Sequence, residues 1–318
     1  MIGPDLLEQL SARVGAVHAR QRLGIEAEHE TEVLHRARPG RRSMLHPENW
    51  YSLHRLIEFS FQVSLLHRRA RRNARQVAVT GNRVALRHLP QSFDGYRVLH
   101  LSDLHMDVSQ QTADAIIEAV RTVDYDLCVL TGDYRFRTSG DPAPTLRQMA
   151  RLREALQGDV FAVLGNHDSL AMLPALESMG YRLLMNEHVA IAGTDASIYL
   201  GGIDDAHYYG VDNLHGALDG VPADAVILLL SHTPEVYRKA AHASVDLMLC
   251  GHTHGGQVCL PGGRPIIVDA QVPRRIARGA WRHQDMVGYT SRGAGTSIVE
   301  VRLNCPAEIT LHTLVRAG

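Results

Sequence analysis

His252 and His254 stand one residue apart in Gly251-His-Thr-His-Gly-Gly-Gln257, directly after the apolar run 245–250. Neutral imidazole is the commonest protein ligand for transition metals, and a glycine-rich turn lets both rings point into one cleft. In a chain with 19 histidines, one such pair is weak evidence by itself. Four other stretches follow the same pattern. The run 96–101 ends in Ser102-Asp103-Leu104-His105, and 127–131 ends in Gly132-Asp133. The run 160–164 ends in Gly165-Asn166-His167-Asp168, and 225–230 ends in Ser231-His232-Thr233-Pro234. Each run is short and rich in Val, Ile and Leu, which predicts a strand buried on both faces. Ligands of open α/β folds bind just outside the carboxyl ends of strands, so five such ends converge on one site. Carboxylate, imidazole and amide oxygen together suit Mn2+, Fe2+ or Zn2+ better than Ca2+ or a thiolate-bound structural zinc. The residues predict a metal site.

The series SDLH, GD, GNHD, SHTP and GHTHGGQ resembles the calcineurin-like metallophosphoesterase superfamily over residues 76–318. Ser291-Arg-Gly-Ala-Gly-Thr-Ser297, Asn304-Cys-Pro and Glu308-Ile-Thr-Leu are similar to its YkuE-like branch, which includes LpxG-type UDP-2,3-diacylglucosamine hydrolases. The resemblance implies an α/β fold, a two-sheet β-sandwich flanked by helices, here with an N-terminal helical extension. It also implies two divalent ions, with Mn2+ the first expectation and Fe2+ or Zn2+ the alternatives. Asp103, His105 and His254 would hold one ion, Asn166, His232 and His252 the other, and Asp133 would bridge them. Such a pair, roughly 3.5–4 Å apart, activates water and clamps the attacking and leaving oxygens of a phosphoester. Asp133 and His167 are then the catalytic pair, with His167 protonating the leaving oxygen. The alternative for His167 is that it merely orients Asn166. Asp168 either orients His167 or caps the helix beginning near Ser169, and the cap is the expectation.

One position departs from the family. Several relatives carry an acid three residues after the bridging Asp, as partner to the catalytic His, and purple acid phosphatases carry a tyrosinate there. This chain has Phe136, which argues against a tyrosinate-iron centre and leaves the partner of His167 open. Arg135 or Arg137 would either meet a substrate phosphate or lie on the surface. Asp205 and His207, in a polar, aromatic loop after a strand, are candidates for the pocket rim or for a packed turn. Arg292, in a glycine-rich turn, is a candidate phosphate or sugar contact.

Residues 1–75 are expected to form a helical extension and 76–318 the catalytic domain. Leu6, Leu7, Leu10, Val14 and Val17 recur at helical spacing, and a second polar helix is expected over about 25–37. Pro47 suits the first turn of a long helix reaching about Arg75. Its apolar part, 56–66, is too short to span a bilayer, and five arginines follow within 68–75. Such a helix either lies on an anionic membrane surface or packs on the catalytic domain with a solvated end. Val77–Thr80 and Val84–Leu89, separated by Gly81-Asn82, read as a hairpin. Helices are expected around Ala113–Val120, Leu146–Leu156 and Leu170–Met179, and the chain turns β-rich after Gly180.

With 318 residues, 45% of them hydrophobic, the chain can bury one large core and a smaller appendage. A formal net charge of −1 excludes a global field for nucleic-acid polymers. Cys128, Cys250, Cys259 and Cys305 lack CxxC spacing and read as reduced thiols rather than ligands. No apolar-cored signal opens the chain, so the expected location is cytoplasmic, peripheral on the inner membrane face if the helix docks there. The expected activity is hydrolysis of a phosphodiester or pyrophosphate, with UDP-2,3-diacylglucosamine the specific candidate. The alternatives are a general phosphodiesterase on soluble nucleotide esters and a non-catalytic scaffold.

Overall fold

The computed structural model describes residues 4–35, 66–297 and 299–317. Two six-stranded sheets face each other. The first has the order β1-β14-β2-β3-β4-β5, with β1 (Val77–Leu86), β2 (Arg97–Leu101), β3 (Leu127–Thr131), β4 (Val160–Val163), β5 (Tyr181–Leu183) and β14 (Ala307–Arg316). The second has the order β12-β13-β9-β8-β7-β6. It contains β6 (Glu187–Ala192), β7 (Ser197–Gly202), β8 (Ile227–Leu230), β9 (Leu247–Cys250), β12 (Gly279–His283) and β13 (Met286–Thr290). A short ribbon of β10 (Cys259–Leu260) and β11 (Arg264–Pro265) stands apart.

Every residue of β3, β4, β8 and β9 is buried, as their unbroken aliphatic runs require. One face of each sheet builds the core between them, from Val98, Val129, Phe161 and Val163 against Leu200, Leu228, Leu230 and Leu249. The outer face of the first sheet packs on α4 (Gln110–Arg121) and α5 (Ala143–Ala155). Ser109 accepts a hydrogen bond from the Thr112 N–H at the start of α4, which buries Ala113, Ile116, Ile117 and Val120. Each aliphatic side chain so covered is worth about 1.5–3 kcal/mol. Parallel order in β2-β3-β4-β5 and β7-β8-β9 brings the ends of β2, β3, β4, β8 and β9 to one edge of the sandwich.

The hairpin expected at 77–89 is a single strand. β1 runs parallel to β14 over all ten of its residues, and Gly81 and Asn82 pair with Leu311 and His312 in mid-strand. A partner strand from the far end of the chain satisfies the backbone that a turn would otherwise have closed.

Two helices, α1 (Pro4–Val14) and α2 (Ala16–His35), form an N-terminal arm that breaks at Gly15, where φ is 86°. The second helix therefore starts well before residue 25, and Val17 leaves the predicted stripe, 72% exposed. Leu10, Ala19 and Leu23 complete the outer core, and Arg13 binds Glu177, Glu187 and the Leu183 carbonyl. Most of the predicted helix from Pro47 lies outside the described residues. Its end is α3 (His67–Ala74), with Ala70 and Ala74 buried and Arg71 and Arg75 paired to Glu300. Arg68, Arg69 and Arg72 are exposed. No helix among the described residues is long and apolar enough to cross a membrane.

Candidate metal centre

Four strand ends and the turn after β9 bring the predicted ligands together. Asp103, His105, Asp133 and His254 each place a donor atom within 4.8 Å of the others, and Asp133, His232 and His252 form a second such group. Asp133 belongs to both. Asn166 joins the second group, its Oδ1 lying 2.9 Å from His232 Nε2 and 3.0 Å from His252 Nδ1. The loops bend sharply to do this: Asp103 (φ 51°), His105 (41°), Asp133 (58°), His252 (69°) and His254 (50°) are all left-handed. Gly165 and Gly251 permit the close approach. A Cβ on Gly165 would stand 2.3 Å from Asp133 Oδ1, and one on Gly251 would stand 2.4 Å from Asp103 Oδ2.

The hydrogen bonds behind the rings decide what the rings offer. His105 Nδ1–H donates to the Arg135 carbonyl at 2.8 Å, and His232 Nδ1–H donates to the Thr131 carbonyl at 2.7 Å. A carbonyl only accepts, so in the neutral rings each Nε2 is left with its lone pair. His105 Nε2 lies 3.1 Å from His254 Nε2 and 3.8 Å from Asp133 Oδ2, and His232 Nε2 lies 3.4 Å from that same oxygen. Acceptor atoms facing acceptors in a buried pocket call for a cation. On His232 a proton can meet that same demand: burial opposes a charge there, yet the Asp133 carboxylate overrides it and pushes this imidazole up to about 10, so a metal ion at Nε2 takes the place of a proton. Asp133 itself is held well below the usual carboxylate range, because His232 and His167 outweigh its burial. Burial, only partly offset by His232 and reinforced by Asp133, pushes Asp103 up to about 6. The donor set fits a divalent metal ion. The four cysteines are buried free thiols, and none belongs to either group.

His167 sits beside this centre. Its backbone N–H donates to Asp133 Oδ1 at 2.9 Å, its Nδ1–H donates to the Phe136 carbonyl, and its Nε2 lies 3.9 Å from Asp133 Oδ2. The partner left open by Phe136 is thus the main chain of that same residue. Asp168 neither orients His167 nor caps a helix, contrary to the expected cap. Its buried carboxylate accepts from the N–H groups of Asp133 (2.8 Å), Tyr134 (2.9 Å) and Gly165 (2.8 Å), tying the β3 loop to the β4 loop. The cap is Ser169, which accepts from Ala171 N–H.

The other candidates are placed as follows. Arg135 is buried and braces the main chain, donating to the carbonyls of His167 (2.7 Å) and Gly140 (3.4 Å). Asp205 accepts from the N–H groups of Tyr208 and Tyr209 and so closes its own turn. His207 bonds Glu235 at 3.0 Å, with its ring 4.3 Å from that of His252. The Arg292 guanidinium is held by Glu308 and Thr80. A cleft of about 670 Å³ opens beside Phe136, between α3 and the 135–141 loop, with Arg71, Asp107, Arg137, Val299 and Val301 in its wall.

Three residues escaped the sequence reading. Arg302, fully buried in the apolar stretch 299–303, binds the carbonyls of Arg292, Gly293 and Gly295 and reaches to 3.4 Å from His254 Nδ1. A charge alternating with valines was its only signal. Ser102 donates to Asp103 Oδ2 at 2.7 Å, next to the ligand in sequence. Arg22, on α2, donates to the Asp168 carbonyl at 2.9 Å and had no signal in its polar surroundings.

A calcineurin-like phosphoesterase model matches residues 96–256, from β2 through the His-x-His turn. The chain belongs to that family. It is 29% identical over 227 residues to the uncharacterized metallophosphoesterase YkoQ of Bacillus subtilis, covering 68% of this chain and 83% of that one. It is 30% identical over 240 residues to the phosphodiesterase YaeI of Escherichia coli, covering 69% and 82%. A transmembrane protein with metallophosphoesterase domain from Bos taurus is 30% identical over 260 residues, which span 74% of this chain and 57% of that longer protein. The protein is therefore a phosphoesterase hydrolase with a buried Asp/His metal site.

Proposed function

We propose that the protein hydrolyses phosphodiesters or pyrophosphates with two divalent ions, Mn2+ first among them. Asp103, His105 and His254 would hold one ion, Asn166, His232 and His252 the other, and Asp133 both. The observation that carries this reading is the ring of lone-pair atoms around Asp133, with tautomers fixed from behind at His105 and His232. Ions held by these residues would supply Lewis acidity and lower the pKa of a bound water for attack at phosphorus. The chain's own residues do the rest. His167, anchored through Nδ1–H to the Phe136 carbonyl with Nε2 3.9 Å from Asp133 Oδ2, would act as the imidazolium, its Nε2–H protonating the leaving oxygen. Arg135 and Asp168 keep the β3 and β4 loops in register.

The test is metal analysis and bis-p-nitrophenyl phosphate turnover by the Mn2+-loaded full chain, alongside Asp133→Ala. Two ions per chain with turnover, both lost in the variant, support the reading. A wild-type chain that takes up no metal would favour the scaffold alternative.

For the substrate, we propose a lipid-linked nucleotide diester, UDP-2,3-diacylglucosamine, met at an inner membrane surface. Supporting this are the branch resemblance, the cleft that joins Arg71 and Arg137 to Val299 and Val301, and the exposed Arg68, Arg69 and Arg72 on α3. Release of UMP and acylated sugar phosphate, followed by mass spectrometry, supports it. No release, with bis-p-nitrophenyl phosphate still cleaved, moves the substrate to soluble nucleotide esters.

A further inference from the structure

A buried chain of side chains runs from the edge strand β1 to the metal centre. Asn82 Nδ2 lies 2.9 Å from His312 Nδ1, and His312 Nε2 lies 3.4 Å from His100 Nδ1. His100 Nε2 lies 2.8 Å from Thr131 Oγ1, which donates to Ser102 Oγ at 2.7 Å, and Ser102 donates to Asp103 Oδ2 at 2.7 Å. His312, His100, Thr131, Ser102 and Asp103 are all fully buried.

The two ends of this chain impose one direction on it. An amide N–H of Asn82 only donates, so His312 Nδ1 accepts and its proton sits on Nε2. That proton is donated to His100 Nδ1, which leaves the His100 proton on Nε2 for Thr131. At the other end the Asp103 carboxylate only accepts, so Ser102 must donate to it, and Thr131 must donate to Ser102. No member meets a conflict, and five aligned bonds polarise one another. Burial holds both imidazoles neutral: it brings His100 down to about 4, and with His100 alongside it holds His312 well below the ordinary imidazole value. The aligned bonds end on one oxygen. Asp103 Oδ2 takes the Ser102 hydroxyl, and the His252 N–H donates to Oδ1 at 2.9 Å and more distantly to Oδ2 at 3.2 Å. Oδ1, which keeps a second lone pair, lies 3.5 Å from His254 Nε2, on the side of the ring nitrogens.

We propose that His100 and His312 are positioning residues for Asp103: through Thr131 and Ser102 they hold Oδ2 as a hydrogen-bond acceptor and leave Oδ1 to a divalent cation. The inference rests on the proposed metal reading. It assigns work to two histidines that touch no ligand residue, and it explains why Asn82 stays in mid-strand, since its amide sets the first tautomer.

The experiment titrates the metal-free full chain with Mn2+ alone, following the signal of free aqueous Mn2+ by electron paramagnetic resonance. Wild type, His312→Leu, His312→Gln and Asp103→Asn are compared, with thermal melts of each metal-free protein. Leucine removes the donor to His100, and glutamine can restore it. The expectation is that His312→Leu weakens one of two Mn2+ sites by about 3–10-fold, below the roughly 10–100-fold lost when a group bonded directly to a ligand is removed, because His312 acts through three intervening side chains. His312→Gln should stay within about 2-fold of wild type on the same scale. Wild-type affinity in a folded His312→Leu would overturn the relay and leave the metal reading standing. A wild-type chain that binds no Mn2+ would overturn the metal reading, and the relay with it. If His312→Leu does not fold, long-range proton–nitrogen spectra of the metal-free wild type decide the matter. Nε2–H tautomers at both His100 and His312 support the relay, and an Nδ1–H tautomer at either overturns it.

Discussion

Replacing Arg22 with methionine should destabilise the whole catalytic domain, although the residue lies in an arm that sequence alone separates from it. Arg22 is fully buried. Its Nη2 donates to the Asp168 carbonyl at 2.9 Å, its Nε lies 3.2 Å from Glu26 and 3.8 Å from Asp204, and its guanidinium carbon stands 3.2 Å above the Tyr209 ring. Glu26 in turn accepts from Leu170 N–H and Ser169 Oγ–H, so the arm holds the segment that follows His167 and Asp168. Methionine keeps much of the stem's volume but takes the cation away from two buried carboxylates. Burial alone would raise Asp204, and Arg22 with His18 and the Asp205 N–H holds it low, so losing the guanidinium leaves a buried charge supported by His18 and one backbone N–H. Removing one partner from a buried ion pair costs about 3–5 kcal/mol, and the lost carbonyl bond is part of that cost because the contributions are not additive. In a domain of this size 1 kcal/mol shifts the melting temperature by about 2–4 °C, so Arg22→Met should melt about 6–20 °C lower. Differential scanning calorimetry of the full chain measures this, with Asp204→Asn/Arg22→Met as a control expected to recover part of the loss. A single variant that melts within about 2 °C of wild type would refute the argument that Arg22 locks the arm to the site.

Three further outcomes are expected. His167→Ala should retain both metal ions and its fold, and lose roughly 10²–10⁴-fold in turnover on esters with poor leaving groups but much less on p-nitrophenyl esters. Equal losses on the two substrate types would remove the general-acid role. Gly165→Ala forces a Cβ against Asp133, so it should lose metal as judged by atomic absorption, and an unchanged metal content would show that the β3 loop gives way freely. Glu300 carries the pH dependence of the α3 contact. Burial would raise it, but Arg75, Ser109 and Arg71 bring it down to about 2. Its contribution is complete above the ordinary carboxylate value and is lost as pH falls through about 2. Glu300→Gln should therefore flatten the fall in melting temperature between about pH 4.5 and 2, and parallel curves for the two proteins would argue against it.

The five strand ends were legible because each joins an aliphatic run to a residue type with specific chemistry. The unbroken aliphatic runs, with ligands expected at the carboxyl ends of such strands, put Asp103, Asp133, Asn166, His232 and His252 at one edge before any contact was known. What supports those residues was not legible. The partner of His167 is a carbonyl, which every residue has, so Phe136 gave no sign of it. Asp168 binds four backbone N–H groups, three of them on a loop more than thirty residues upstream. A carboxylate next to an incipient helix reads as a cap because local pairing is all that spacing can express. The Gly81-Asn82 pair misled for the same reason. It has the composition of a turn, but its partners, Leu311 and His312, lie at the far end of the chain. Arg22 sits in a helix polar on most sides, and only the tertiary contact with Asp204 and Tyr209 separates it from its exposed neighbours.

The left-handed backbone of the site has an evolutionary consequence. Five of the proposed ligands occupy a region that glycine adopts freely and other residues enter at a cost on the order of 1 kcal/mol each. A population selected for heat resistance alone would gain from glycine at His105, His252 or His254 wherever neighbouring side chains repack to replace the lost imidazole. Each step would relax the fold and remove a donor from the centre. Variants that gain stability at these positions should be the inactive ones, so thermal robustness and phosphoester hydrolysis compete for the same few backbone angles.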